Sequence, residues 1–339
     1  MKGTIIGLDL AKDIFHIAVL NQAGKQARKK KLRRRQLRLY FTQTEPCKVA
    51  MEVCASAHYW AREFQRRGHE VVLLPPQHVK GYLRGQKNDY NDALAIAESA
   101  QHGAIRPVII KSIEQQDTQS FHRIRRQLVG EQTRLANQIR GLLAENGIVM
   151  RKGVSVVRRD IPEILGDADN GLSERFRALL CRQHQRFLDL DEELAWYKAQ
   201  LVAEAKSDET CRRLSDVPGF GPVVSSAFKS WIGDGKQFKR GRDASAALGV
   251  VPRQHSTGGK ELLLGISKRG DSYVRSLVIH GARSVVSHAG KKTDPLSVWI
   301  NRLVATRGFN KAVVALANKL IRIAWVVVAR GEDYRPQAV

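Results

Sequence analysis

The sequence predicts an α/β domain at the N-terminus, followed by a helical middle region and a mostly helical C-terminal region. Short apolar runs bounded by turn residues, which are typical of strands, are concentrated before residue 75. Residues 112–148 contain no proline and repeat apolar side chains at helical spacing. A turn rich in proline and glycine at residues 217–222 opens the last third. We therefore divide the chain into residues 1–111, 112–210 and 211–339.

The N-terminal region alternates predicted strands and helices. The first strand ends at Asp9 and the second covers residues 14–20. Two further strands cover residues 48–54 and 70–74, with a helix over residues 58–67 between them, and another helix starts at Asp89. Strands followed by alternating helices predict a sheet layered with helices.

The turn at residues 21–24 folds the chain back, so a third strand is predicted after it. A basic segment begins at this point. Residues 25–40 contain nine Lys and Arg, and no acid occurs between Asp13 and Glu45. One interpretation is the solvated face of a strand or helix. The mutual repulsion of unbalanced cations favours a contact with a phosphate backbone. The side chains assigned to nucleic acid here are Lys29, Lys30, Lys31, Arg33, Arg34 and Arg35.

The middle region is predicted to contain two long helices, residues 112–148 and 172–206. A proline-containing link at residues 151–167 separates them. This pattern favours an antiparallel pair. The pair is either a dimerisation arm or an ordinary helical domain.

The last third opens with the string VPGFGP at residues 217–222, which predicts the turn of a helix-hairpin-helix. The amides of Gly219 and Gly221 are candidates for holding a phosphate, and a plain tight turn is the alternative. Near the C-terminus, residues 312–330 are apolar but interrupted by Lys319 and Arg322. They predict an amphipathic core helix and not a membrane span.

The composition favours a globular protein that binds nucleic acid. The chain has 57 Lys and Arg against 33 Asp and Glu, a formal charge of +24, and 43% apolar residues. An acidic membrane surface is the lesser alternative. No cleavable signal is recognised, so a cytoplasmic protein associated with the bacterial nucleoid is expected. His16 and His122 show no paired ligand spacing and are interpreted as structural or surface residues.

Four acidic residues stand in settings that suit one metal site. Asp9 ends an apolar run and Glu52 lies inside another, where a carboxylate is costly unless it is paired or binds a cation. Asp89 and Asp92 are three residues apart at the start of a helix and share a face. The alternative for this pair is a helix cap and a first-turn acid. Ligation by oxygen alone suits Mg²⁺ or Mn²⁺.

A second candidate site is the loop around Ser256. Between Lys236 and Arg275 lie nine Lys and Arg but only three acids. A hydroxyl among cations in a glycine-flanked loop can attack phosphorus, and the cations would stabilise the developing charge. The alternative, favoured by these residues alone, is a loop that hydrogen-bonds a phosphate. The nearby cations assigned to nucleic acid are Arg253, Lys260, Lys268 and Arg269.

Taken together, these motifs resemble one family over nearly the whole chain. The chain resembles the RuvC-like DEDD-type insertion-sequence transposases, the insertion-sequence one-ten family, also known as bridge-RNA-guided recombinases. Its final domain is most similar to the eleven-eleven subgroup. The motifs that carry the resemblance are GLDLAK at residues 7–12, ME at 51–52, KNDYNDA at 87–93, PGFG at 218–221, LGVVP at 248–252 and STG at 256–258.

The resemblance implies an RNase H-like N-terminal domain in which Asp9, Glu52, Asp89 and Asp92 hold Mg²⁺. It also implies a helical coiled coil that mediates oligomerisation, as a dimer or tetramer, and a C-terminal transposase domain. The expected partners are double-stranded element and target DNA and a structured guide RNA that pairs with both. No membrane partner is expected.

The family's final domain donates a serine that forms a covalent phosphoserine link to DNA, in a site built from two subunits. That serine usually stands immediately before the glycine, where this chain has Thr257. We assign the nucleophile to Ser256, one position earlier, because serine is less hindered than threonine. Thr257 takes the role if the register differs by one residue.

Two alternative functions use the same residues differently. A junction-resolving endonuclease of the same fold would use only the four acids, with water as nucleophile. A non-catalytic basic protein that packages RNA or DNA would use the acids structurally. Covalent adducts distinguish the recombinase from the nuclease, and acid-to-alanine variants distinguish both from the packaging protein.

Overall fold

The computed structural model describes residues 3–86, 88–102 and 105–336. The chain divides into two compact units, Met1–Ile113 and Glu114–Val339. Lys87, which belongs to the motif at residues 87–93, lies outside the described residues, as do both ends of the chain. The further division at residue 211 stays a prediction.

A five-stranded mixed sheet forms the centre of the first unit. The order is β3-β2-β1-β4-β5. β1 pairs with β2 and β2 pairs with β3 in antiparallel fashion, whereas β4 is parallel to both β1 and β5. This sheet confirms the predicted α/β class. The strands are β1 Ile5–Asp9, β2 Ile14–Leu20, β3 Gln26–Arg33, β4 Lys48–Glu52 and β5 Glu70–Leu74.

Helices cover both faces of this sheet. They are α1 Arg34–Gln43, α2 Ala57–Gln65, α3 Pro76–Val79, a 3₁₀ turn Lys80–Tyr82, and α4 Asp89–Ser99. α1 and α2 pack on one face through an apolar core that includes Phe41 and Trp60. α4 packs on the other face, against Ala50 and Leu74.

The basic segment, for which the sequence left the face of a strand or of a helix open, contains a strand and then a helix. Its second half is α1, which buries Leu37 and Phe41, four residues apart, on one helical face. Three consecutive arginines at the start of α1 conceal this short apolar repeat in the sequence.

Three helices open the second unit: α5 Ile113–Glu145, α6 Val154–Gly166 and α7 Glu174–Ser207. The structure corrects the predicted proline-containing link, since this segment is α6 with Pro162 inside it. Val157 and Ile161 bury one face of α6 in a core shared with α5 and α7. This burial outweighs the lost backbone hydrogen bond of an internal proline, which costs about 3 kcal/mol.

The rest of the second unit packs around its last helix. The elements are α8 Glu209–Ser215, α9 Pro222–Ile232, α10 Gly241–Leu248, β6 Pro252–Gln254, β7 Leu263–Ile266, α11 Ser272–His288, α12 Pro295–Arg307 and α13 Phe309–Arg330. Within the described chain, α13 alone is long and apolar enough to cross a membrane, but half of that stretch is buried in the unit. Its buried residues include Leu316 and Leu320, so α13 is a core helix, as predicted. The short hairpin of β6 and β7 was not predicted.

Candidate functional site

Two of the four predicted acids lie at adjacent strand ends. Asp9 is the last residue of β1 and Glu52 is the last residue of β4. The two strands run parallel with Leu8 opposite Met51, so the two acids leave the sheet side by side at its carboxyl edge. Ligands of open α/β sheets commonly bind at this edge.

Gly7 brings α4 over these strand ends. A Cβ atom at Gly7 would lie 2.1 Å from the carbonyl oxygen of Ala93 and 2.7 Å from the Cβ of Ala97. Only glycine permits this approach of β1 to α4. Because side chains alternate along a strand, Asp9 points to the same face as Gly7 and therefore towards α4.

The first turn of α4 supplies the other two acids. The side-chain oxygen of Asn88 accepts a hydrogen bond from the backbone N–H of Tyr90 at 2.9 Å and caps the helix. Asp89 and Asp92 therefore do not serve as the cap, and their carboxylates remain available. Both also interact favourably with the positive end of the helix dipole.

Three of the acids converge closely enough for one cation. One ligand oxygen from each of Asp9, Asp89 and Asp92 lies within 4.8 Å of the others. Glu52 is outside this set, but its charge acts on Asp9. Three carboxylates at this spacing, with a fourth on the neighbouring strand, fit an oxygen-ligated divalent cation such as Mg²⁺ or Mn²⁺.

The electrostatics of the acid cluster favour neutralisation. Burial is the main reason that the pKa of Asp9 rises to about 6, and the other three carboxylates add to the rise. Burial also raises the pKa of Glu52, with Asp92 adding to the effect and Lys80 opposing it. Like charges held together in this way are relieved by a proton or by a bound cation.

His16 belongs to the same site, contrary to its interpretation as a structural or surface residue. It lies opposite Asp9 on β2, is 7% exposed, and its Nδ1 atom is 3.4 Å from Oδ2 of Asp89. Nδ1 has no hydrogen-bond partner among the described residues. The ring also makes an edge contact with Tyr90 at 4.6 Å between centroids. The strand register could have suggested this position, but only with the pairing of β1 and β2 in hand.

The structure divides the cations of β3 between the two sheet faces. Lys31 lies opposite His16 on β2, and Nζ of Lys29 is 5.8 Å from the ring centre of Tyr90, on the face of the acids. Lys30 points to the other face, with Nζ 4.7 Å from the ring centre of Tyr40. Arg33, Arg34 and Arg35 lie where β3 passes into α1.

Ser256 lies near the tip of the hairpin formed by β6 and β7, and it is exposed. Its Oγ atom accepts a hydrogen bond from Nε2 of Gln254 at 3.0 Å. Thr257 pairs with Lys260 through two backbone hydrogen bonds across the turn. Gly258 and Gly259 both have positive φ, 55° and 78°, as a tight two-residue hairpin turn requires.

The base of this hairpin is fixed by close backbone packing. The N–H of Ser267 donates to the carbonyl of Val251 at 2.8 Å, and that of Lys268 donates to Gly249 at 3.1 Å. A Cβ atom at Gly270 would lie 2.0 Å from the carbonyl oxygen of Ala247. The cations of this region, Arg253, Lys260, Lys268 and Arg269, therefore flank a hairpin with a fixed base and an exposed tip.

The glycine-rich turn at residues 217–222 connects α8 to α9. Gly219 has φ of 81°, and a Cβ atom there would lie 2.8 Å from the backbone of Gly281 in α11. Packing alone therefore accounts for this glycine. Gly221 is exposed, so its role in binding phosphate stays a prediction.

The fold and the carboxylate cluster define an α/β protein with a candidate divalent-cation site, followed by a basic unit that presents a hydroxyl hairpin. Two family models match parts of the chain. Residues 6–147 match a family model of the DEDD IS110 type, described as Transposase. Residues 211–296 match a model described as Transposase IS116/IS110/IS902 family.

Relatives match over the full length. The chain is 42% identical to the Coxiella burnetii protein named Transposase for insertion sequence element IS1111A, over 98% of this chain and 91% of that protein. It is 43% identical to a Pseudomonas aeruginosa protein named "Probable family 20 transposase", over 98% of each. A structure of T. thermophilus RuvC in complex with Holliday junction substrate matches 31% of this chain and 99% of that chain. Its 14% identity and TM-score of 0.24 are too low to support a shared activity.

The chain therefore belongs to the IS116/IS110/IS902 family of insertion-sequence transposases, which are enzymes that cut and rejoin DNA. This confirms the resemblance drawn from the sequence motifs.

Proposed function

We propose that this transposase cuts and rejoins DNA with a divalent cation, Mg²⁺ or Mn²⁺, held by Asp9, Glu52, Asp89 and Asp92. The observation that carries the proposal is the convergence of three carboxylates within 4.8 Å at the carboxyl edge of the sheet. When bound, the cation supplies Lewis-acid stabilisation of the negative charge that develops on phosphate oxygens. The carboxylates hold it, and its charge relieves the repulsion among them.

We assign His16 a positioning role within this site. Its buried ring lies against Asp89, whose side chain is 63% exposed and would otherwise rotate freely. The approach of Nδ1 to Oδ2 at 3.4 Å restricts this carboxylate and leaves its other oxygen for the cation. Partners of this kind orient metal ligands in many proteins.

Ser256 is the proposed nucleophile. Its hydroxyl oxygen forms a bond to phosphorus as the bond between phosphorus and a deoxyribose oxygen breaks, and the serine proton passes to the departing oxygen. The phosphoserine link conserves a phosphodiester bond, so the reverse attack by a deoxyribose hydroxyl rejoins a strand. The exposed tip, the cations beside it and the hydrogen bond from Gln254 support this role. Thr257 is the alternative.

The proposed partners are element and target DNA, a structured guide RNA and further copies of this chain. A formal charge of +24 supports binding to a polyanion. The helical region of α5, α6 and α7 is the proposed oligomerisation region, in a dimer or tetramer. A DNA transposase is expected to act in the cytoplasm, at the nucleoid.

The test measures covalent protein–DNA adducts that resist denaturation. The full chain is incubated with labelled element-end DNA, the noncoding RNA encoded beside the gene, and Mg²⁺. We expect adducts with the wild-type protein and with Thr257→Ala, and none with Ser256→Ala, which should bind DNA normally. Adducts that persist in Ser256→Ala but disappear in Thr257→Ala would move the role to Thr257.

Cleavage that gives hydrolysed ends without any adduct would instead support a nuclease that uses water. Adducts that survive Asp9→Ala and Asp89→Ala would reject the metal site, whereas DNA binding unchanged in both variants, with no cleavage or adduct by any form, would support a basic packaging protein. These outcomes separate the three functions that the sequence admits.

A further inference from the structure

A cleft with several arginines lies at the same end of the sheet as the acids, on the face that carries α1 and α2. Its volume is about 860 Å³. It lies where β2 begins, where β3 passes into α1, and beside the first turn of α2. The lining side chains include Arg33, Arg34, Arg35, Arg38, Tyr59 and Trp60.

Two of the four arginines are held in place by the protein. The guanidinium of Arg34 lies 5.3 Å from the ring centre of Trp60 and donates to the carbonyl of Lys12 at 3.2 Å. Arg38 donates to the hydroxyl of Tyr59. These contacts build a fixed wall of stacked and hydrogen-bonded groups. Because the side chains are already held in place, a ligand can bind without the entropic cost of ordering them.

The other two arginines have no counter-charge. Among the described residues, the side chains of Arg33 and Arg35 make no ion pair and no hydrogen bond. Asp13 is the one acid among the residues that line the cleft. Planar guanidinium groups collected at one cleft in this way favour an anion with several acceptor oxygens, such as phosphate.

We propose that this cleft binds one unpaired nucleotide of a nucleic-acid strand. Its phosphate would lie on Arg33 and Arg35, and its base against the wall formed by Arg34 and Tyr59. Pockets of this volume hold small molecules, so a nucleotide fits and a duplex does not. Arginine planes and aromatic rings stack on unpaired bases of either RNA or DNA. This proposal rests on the nucleic-acid binding in the proposed function.

The experiment titrates the full chain into short single-stranded DNA and RNA oligonucleotides that carry the fluorescent base 2-aminopurine, and into the matching duplex. The variant is Arg33→Ala with Arg35→Ala. The matched control, Lys25→Ala with Arg28→Ala, removes the same charge from the other end of β3. We expect the dissociation constant for single strands to rise about tenfold or more in the variant, since two phosphate contacts are lost, and less than about threefold in the control. Stacking should quench the probe with the wild-type protein.

A loss in the variant that is confined to RNA or to single-stranded DNA supports the cleft and identifies which strand occupies it. Equal losses in variant and control would show diffuse attraction and overturn the proposal. A loss of duplex affinity in the variant as large as its loss for single strands would do the same, since a duplex does not fit the cleft. Adduct formation by the same variant is measured in parallel: an unchanged affinity with normal adducts rejects the cleft and leaves the transposase function intact, because neither arginine belongs to the acid cluster or the hairpin.

Discussion

The acid cluster and the serine hairpin hold their functional groups in opposite ways. Asp9 and Asp92 sit at the ends of elements that pack closely, because Gly7 admits the backbone of α4. Ser256 instead lies at an exposed tip beside two glycines, while the base of its hairpin is fixed by backbone hydrogen bonds. A cation needs ligands at fixed distances, whereas a nucleophile that must meet a phosphate benefits from a tip that adjusts.

The charges of the two regions are also opposite. Burial and then the mutual repulsion of the acids raise the pKa of Asp9. The hairpin region carries an excess of Lys and Arg, which repel one another as well. A divalent cation would relieve the repulsion in the first region, and a phosphate backbone would relieve it in the second. Each region should therefore respond differently to metal, to backbone changes and to pH.

The largest expected effect is that of Asp9→Asn. We expect the rate of strand cleavage to fall by on the order of 1,000-fold or more, because the variant loses a charged ligand of the proposed cation. Without metal, the variant should be more stable than the wild-type protein, since one of the repelling carboxylates becomes neutral. Thermal unfolding with and without Mg²⁺ measures this second effect.

Glu45→Gln is the matched control, because it removes one exposed acid outside the cluster. Wild type and control should gain stability on adding Mg²⁺, and Asp9→Asn should not. An equal gain in all three proteins would contradict a cation site at Asp9.

The next largest effect contrasts two glycines of the hairpin region. Gly270→Ala should lower the free energy of unfolding by about 3 kcal/mol or more, because its Cβ would collide with the carbonyl of Ala247 at 2.0 Å. Gly259→Ala should cost only about 1 kcal/mol, since its φ of 78° is strained for alanine but nothing lies within 4 Å. Urea unfolding of the full chain measures both. Equal losses would show that the tip is packed as tightly as the base.

The same contrast explains which parts of the fold and of the site could be predicted from the sequence. An acid at the end of an apolar run is visible in the sequence, and so is a pair of acids at a helix start. The four carboxylates and the sheet strands were therefore predicted. α1, α6 and the β6–β7 hairpin were missed or misread, because burial against distant segments decides them and local pattern does not.

The place of His16 in the site was missed for the same reason, because it depends on the pairing of β1 with β2. His16→Ala should weaken Mn²⁺ binding about 10-fold to 100-fold, as the loss of a group that orients a ligand does. His16→Asn keeps a polar group facing Asp89 and should recover part of the loss. Mn²⁺ titration followed by electron paramagnetic resonance measures both variants. Similar losses in Asn and Ala would indicate that His16 only fills space. Neither substitution should affect the Ser256 hairpin. The affinity for DNA in the absence of metal is therefore the control, and it should stay unchanged in both variants.

The smallest expected effect is the pH dependence of stability. In the folded state the pKa of Asp9 is about 6, above its ordinary value of 3.8, so between these values the folded protein holds a proton that the unfolded chain has released. The stabilising contribution of this proton is therefore full at low pH and is lost as pH rises through about 6. After allowance for solvent screening, we expect on the order of 1 kcal/mol from this group. The difference in stability between wild type and Asp9→Asn in denaturant unfolding isolates the contribution of this group.

Saturating Mg²⁺ should reverse the sign of this pH dependence, because the cation displaces the proton and binds more tightly at higher pH. Ser256→Ala should follow the wild-type curve throughout, and a departure from it would show that the hairpin takes part in the titration of the acids.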